Sequence, residues 1–160
     1  MTNKKYFFIG IGGIGMSSIA QYLHEKENII LGYDASENKS IKILLKKGID
    51  VINKLSLKSI PDYMKKDDVI VVYTPAIPDD NIFLKYFRKN GNNQIYKRSE
   101  MLGEISKQSK CIAVAGTHGK TTTCAIISHL FHSSGIHFKA FIGGIMKCFD
   151  SNFINTGNDY

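Results

Sequence analysis

The sequence predicts an α/β fold: a Rossmann-like parallel sheet with helices on both faces, followed by the truncated start of a P-loop α/β domain. Three observations carry that prediction. Apolar strand-like runs alternate with helix-like stretches along the chain, and two glycine loops each follow a strand and open a helix. No Asn-Gly or Asp-Gly pair sits between two alternating runs, where it would signal a hairpin. Strand–helix alternation without hairpins is the pattern of parallel strands joined by crossover helices.

The elements follow in order. Residues 6–9 form the first strand and lead into a glycine loop; 14–26 follow as a helix, with Ile14, Ile19, Tyr22 and Leu23 at helical spacing. Residues 29–33 are the next strand and end at Asp34. A helix over 39–47 is stopped by Gly48, and 49–52 is a short strand. Asp67 and Asp68 precede 69–73, a continuous apolar run of the kind buried on both faces of a sheet. A helix over 79–90 ends at Gly91, 94–96 is a short strand, and 99–106 is a short helix with Ser99 as its cap. Residues 110–115 read as another buried strand, leading through the second glycine loop into a helix over 120–134 that Gly135 stops; 138–142 closes the pattern. The polar residues 106–110 mark a boundary, giving a first unit over 1–107 and the incomplete beginning of a second over 108–160.

Bulk properties are those of an ordinary globular chain: 160 residues, 43% hydrophobic and 22% charged. The net charge is +7 and the pI about 9.3. The lysines are scattered, and Arg88 and Arg98 are the only arginines, a poor supply for reading phosphate backbones or base edges. A solvated lysine-rich surface is therefore expected, with no nucleic-acid or membrane partner. Cys111, Cys124 and Cys148 are odd in number and form no CxxC pair, which argues against a disulfide scaffold or structural zinc and for a reducing cytoplasm. Lys4 and Lys5 followed by residues 6–20 imitate a signal peptide, but four glycines interrupt the run.

Those glycines belong to Gly10-Ile11-Gly12-Gly13-Ile14-Gly15, a GxGxxG between strand and helix. The first glycine permits a tight turn, the second lets the backbone approach a diphosphate, and the third lets the helix pack closely on the sheet. Backbone N–H groups and the helix dipole then face the anion. Asp34, at the end of the next strand, is placed to accept from a ribose hydroxyl. This motif indicates a diphosphate-bearing nucleotide without saying which one.

The second loop, residues 116–123, carries Gly119, Lys120 and Thr121 in the GK[ST] positions of a P-loop. Lys120 would neutralise the β- and γ-phosphates and is the candidate catalytic residue. Thr121 would ligate magnesium, and Gly116, Thr117, His118, Gly119 and Thr122 complete the ATP-binding loop. Val114 stands where the motif's first glycine would be, with Gly116 two residues later. His118 belongs to the loop and is given no catalytic role.

Taken together, residues 8–16 (FIGIGGIGM), 72–77 (VYTPAI), 98–102 (RSEML), 115–123 (AGTHGKTTT) and 141–144 (FIGG) resemble the Mur ligase family, and the resemblance covers essentially the whole chain. It implies a three-domain enzyme whose N-terminal domain holds a UDP-sugar and whose central domain binds ATP and Mg²⁺; a C-terminal domain brings in the amino acid. The implied reaction is ATP-dependent ligation of L-alanine to UDP-N-acetylmuramate through an acyl phosphate, in peptidoglycan precursor synthesis. Met16 and His118 favour that alanine-adding branch over siblings that add a whole peptide. By the same mapping the glycine loop (Gly10, Gly12, Gly13, Ile14, Gly15) and Asp34 hold the UDP-sugar, with Thr74, Ala76 and Ile77 at the ligand edge of the sheet. Tyr33 and Pro75 depart from the small residues the family pattern suggests. The chain stops at Asn158-Asp159-Tyr160, before the family's acidic magnesium cluster and its amino-acid domain, so the expectation is a fragment that is inactive alone and whose partner is the remainder of the ligase. Two other readings stand beside this one. An NAD-dependent oxidoreductase would explain the first loop but not the second, and a non-catalytic nucleotide-binding fragment would bind the same ligands without turnover.

Overall fold

The central strand β1 (Lys5–Ile9) pairs in parallel on both sides, with β2 (Ile29–Tyr33) and with β4 (Val69–Tyr73). The computed structural model describes residues 3–65, 68–90 and 93–157; the expected roles of Asp67 and Gly91 fall outside them, as do residues 158–160. Two further parallel strands, β3 (Asp50–Ile52) and β5 (Gln94–Lys97), complete a five-stranded sheet in the order β3-β2-β1-β4-β5. The crossovers run outward in opposite directions from β1. That reversal opens a crevice at the C-terminal ends of β1 and β4, the usual ligand position of such sheets.

Alternation along β1 explains how one strand serves two cores. Tyr6 and Phe8 face α1 (Ile14–Glu25), α2 (Lys39–Lys46) and α4 (Arg98–Ser106), where Ile19, Leu23, Leu44, Met101 and Ile105 are buried. Phe7 and Ile9 face the other side, against Phe83, Leu84 and Phe87 of α3 (Ile82–Lys89). Helices on both faces of a parallel sheet are the architecture the sequence predicts.

Several local expectations are corrected. Helix α3 begins at Ile82 rather than at 79, because the Asn81 side chain caps it by accepting from the amides of Phe83 and Leu84. Ser99 is not the cap of α4: the helix already starts at Arg98, and the Glu100 carboxylate accepts from the Lys97 amide at 2.7 Å. Residues 110–115 form no strand. They pair with no other strand among the described residues, and Ile112 is 56% exposed, so the apolar run has neither ladder nor cover.

The last correction matters most. After α5 (Lys120–Ser133), strands β6 (Lys139–Met146) and β7 (Ser151–Asn155) form an antiparallel hairpin that the glycine-based turn signals did not announce. Its connection uses Asp150 at φ 43°, an aspartate in the left-handed region that glycine usually fills. One side of the hairpin packs on α5 through Phe138, Ile142, Met146 and Ile154. Its other side packs on α1, with Phe141 and Phe153 around the Tyr22 ring at centroid distances of 5.5 and 6.0 Å. Helix α1 is thus buried between the parallel sheet and the hairpin.

Candidate functional site

The register Ile9↔Tyr33 and Ile9↔Tyr73 sets three chain segments side by side just past the strands: the glycine loop, Asp34 and Thr74. They line a cleft of about 730 Å³ that includes Gly10, Gly12, Gly13, Asp34, Thr74, Ala76 and Ile77, all sequence candidates. Ile14 and Gly15 lie beyond it, at the first turn of α1.

The loop is shaped by close approach. Gly10 has φ 84°, and a Cβ there would stand 3.0 Å from the Thr74 methyl. The amides of Gly10 and Ile11 both donate to the Tyr33 carbonyl, at 2.8 and 3.1 Å. Gly12 is tighter still: a Cβ would lie 2.8 Å from Asp34 Oδ2 and 2.9 Å from Ile41 Cδ1. The need for glycine at position 12 is therefore met inside the protein, whatever approaches from outside.

Asp34 is turned toward the loop. Its Oδ2 accepts from the Gly12 amide at 2.8 Å, and its Oδ1 accepts from the amide and hydroxyl of Ser36 at 2.9 and 2.6 Å. Asn38 continues the arrangement, donating to the Gly12 carbonyl at 3.2 Å while it caps α2 by accepting from the Ile41 amide. Ser36 and Asn38 are site residues that motif reasoning missed; their signal is the alternate polar run 34-36-38 at the ligand edge of β2. On the other wall, the Ile77 amide donates to the Thr74 carbonyl at 3.0 Å, folding residues 74–77 into a turn. Tyr33, which departs from the small residue of the family pattern, borders the cleft, with its ring buried 5.0 Å from Phe83.

At the start of α1 the amides of Ile14 and Gly15 have no hydrogen-bond partner among the described residues, as the first turn of a helix leaves them. Arg98, the first residue of α4, lies over them: a Cβ on Gly15 would stand 3.1 Å from its Cδ and Nη1. No hydrogen bond or ion pair holds that guanidinium among the described residues. The two first-turn amides of α1 and the Arg98 guanidinium lie together, an arrangement that suits an anion. The signal for Arg98 was the segment RSEML, which sequence reasoning used for resemblance but not for the site.

The second loop is exposed from Ala115 to Thr123. Gly119 caps α5 at φ 77°, and its carbonyl accepts from the Thr123 amide at 2.8 Å. The Lys120 ammonium curls back and donates to the carbonyls of Gly116 and, at 3.0 Å, Thr117. It thus lies over the loop it would share with a phosphate. Thr121 packs on the hairpin: Cβ atoms on Gly143 and Gly144 would stand 3.2 Å from its Oγ1 and 3.1 Å from its methyl. The glycines leave room beside the hydroxyl, and loop, ammonium and hydroxyl together suit a triphosphate with its magnesium. His118 is exposed and enters no described contact.

A Rossmann-like sheet with a glycine loop at its switch point, followed by a GKT loop, defines an α/β protein of the doubly wound class. Residues 5–110 match the sequence model of the Mur ligase family, catalytic domain, and the chain belongs to that family. It is 45% identical over 94% of its length to the UDP-N-acetylmuramate–L-alanine ligase of Porphyromonas gingivalis, covering 33% of that protein. It is 43% identical to the same-named ligase of Cytophaga hutchinsonii, over 92% of this chain and 32% of the relative. Among solved structures, the UDP-N-acetylmuramate–alanine ligase MurC of Thermotoga maritima superimposes with a TM-score of 0.86 at 32% identity, over 96% of this chain and 35% of that one. The chain spans about a third of the length of these relatives.

Proposed function

We propose that this chain contributes the UDP-sugar site and the ATP loop of a ligase that joins L-alanine to UDP-N-acetylmuramate. The observation that carries the reading is the pairing of two unlike anion sites in one chain: the α1 seat with Arg98, and the GKT loop of α5. An oxidoreductase needs only the first.

In this reading residues 1–107 hold the UDP-sugar and 108–160 open the ATP unit. Diphosphate oxygens take the amides of Ile14 and Gly15 and the Arg98 guanidinium, while Gly10, Gly12, Gly13, Thr74, Ala76 and Ile77 wall the adjoining cleft. ATP lies along residues 116–122. Lys120 leaves the Gly116 and Thr117 carbonyls and stabilises charge on the γ-phosphoryl group as the muramoyl carboxylate attacks it and ADP departs, giving the acyl phosphate. Magnesium, held with the Thr121 hydroxyl, would supply further charge neutralisation. The alanine amine then displaces phosphate from the acyl phosphate. Cytoplasmic residence follows from the substrates of this reaction, and no helix of the described residues is long and apolar enough to cross a membrane.

Calorimetric titration of the purified chain with UDP-N-acetylmuramate, with NADH in parallel, tests the assignment. Saturable binding of the UDP-sugar alone is the expected result, and binding of NADH alone would restore the oxidoreductase. Ligation is expected to need more than these residues. Substrate-dependent phosphate release from this chain with ATP, Mg²⁺, UDP-N-acetylmuramate and L-alanine would overturn that.

A further inference from the structure

The hairpin touches both nucleotide loops. Gly143 and Gly144 of β6 lie against Thr121, and at the other end β7 reaches the first turn of α1 through Asn152. Asn152 is fully buried, as are Ser17 and Gln21 of α1. Its Nδ2 donates to the Ile14 carbonyl and, at 2.9 Å, to Ser17 Oγ; its Oδ1 accepts from Gln21 Nε2 at 2.9 Å. Ser17 Oγ in turn donates to the Ile14 carbonyl at 3.0 Å, and Ser151 Oγ donates to Gln21 Oε1 at 3.3 Å. Every polar atom of the Asn152 amide group is therefore matched by α1.

A satisfied polar network inside an otherwise apolar contact gains little over apolar packing, but it admits only one arrangement. The apolar part of this contact, Tyr22 with Phe141 and Phe153, would tolerate small slides of the helix. The amide of Asn152 would not, since both its ends are fixed to α1. What it fixes is the residue whose own amide opens the anion seat: Ile14.

We propose that Asn152 is a positioning residue for the UDP-sugar site, holding the diphosphate-binding turn of α1 in place from the ATP-binding unit. The inference rests on the proposed UDP-sugar reading of that turn. It makes the hairpin part of the first site although its sequence lies more than a hundred residues away.

The test compares Asn152→Ala with Phe153→Leu, a neighbouring variant that loosens the apolar contact but keeps every side chain of the network and the main-chain bonds of residue 153 to Ser151 Oγ. Both are measured in the whole chain, for thermal stability and for UDP-N-acetylmuramate affinity at a temperature where each is fully folded. Positioning predicts that Asn152→Ala weakens binding about tenfold, the size of one ligand hydrogen bond lost when the Ile14 and Gly15 amides are displaced, while Phe153→Leu stays within about twofold of the parent. Equal losses in the two variants, or none in Asn152→Ala, would overturn the proposal. If the parent chain fails to bind the UDP-sugar, the functional reading falls, and hydrogen exchange decides the network by itself. Faster exchange at the Met16, Ser17 and Ser18 amides in Asn152→Ala but not in Phe153→Leu supports it; identical exchange in both refutes it.

Discussion

The Gly12 amide donates to Asp34 Oδ2 at 2.8 Å, so the acidic residue at the end of β2 and the middle of the glycine loop hold each other. With Ser36 on the other oxygen, Asp34 organises the site before any ligand arrives. A hydrogen bond to an ionised partner contributes about 1.5–3 kcal/mol. Asp34→Ala is expected to lower UDP-sugar affinity by about tenfold or more and to lower the melting temperature. Asp34→Asn keeps one acceptor and should lose less of both. Titration calorimetry and thermal melts of the two variants check the order; equal affinities for the parent and Asp34→Ala would leave the contact without function.

A second relationship ties the loop to the sheet. A Cβ on Gly32, in the middle of β2, would stand 2.4 Å from Ile11 Cδ1 and 2.6 Å from Ile11 Cβ. Ile11 is fully buried, so the loop is pinned by an apolar side chain lying across a strand glycine. Gly32→Ala forces that side chain out, and overpacking of this kind costs about 1–3 kcal/mol. The expected result is a lower denaturant midpoint with an unchanged slope; an unchanged midpoint would mean that the loop moves freely.

These two contacts show what the sequence could and could not disclose. The strands, the loop and the position of Asp34 follow from period and glycine spacing, which are local signals. The partner of Asp34 is set by register: Ile9 opposite Tyr33 brings Asp34 to Gly12, and no spacing rule states that. Residues 110–115 misled because an apolar β-branched run records burial in some context, not pairing within these residues. The hairpin was hidden because Asp150 does the work of a turn glycine. Arg98 was legible only as part of a family segment, since its approach to Gly15 depends on how α4 crosses α1.

The two anion seats should separate by mutation. Lys120→Ala removes the only ammonium that reaches the loop carbonyls of Gly116 and Thr117 among the described residues. It is expected to abolish measurable ATP binding while sparing the UDP-sugar. Arg98→Ala should do the reverse, weakening the UDP-sugar by about tenfold, the loss of one charge-assisted contact. Parallel titrations of both variants with both ligands check this, and a single variant that loses both ligands equally would argue for one shared site.

Alkaline pH should loosen the contact between α1 and the hairpin. Burial raises the pKa of the Tyr22 phenol, and burial also raises Tyr6, helped by the neighbouring Tyr96 and Tyr22. A raised folded-state pKa means that the folded chain holds the proton more tightly than the unfolded chain does. The associated stability is therefore fully present below the unfolded phenol value of about 10. It is lost as pH climbs through the higher folded value. Tyr22 is the sensitive member, because its ring lies against Phe141 and Phe153 and its hydroxyl donates to Gln108 at 3.4 Å. A charge there would be forced into the apolar contact that seats the hairpin. The melting temperature of the parent is expected to fall more steeply above about pH 10 than that of Tyr22→Phe, which keeps the ring and cannot ionise. Tyrosinate absorbance followed in the same titration should show a late-ionising group in the parent that is missing from the variant. Parallel pH profiles for the two proteins would place the alkaline transition elsewhere.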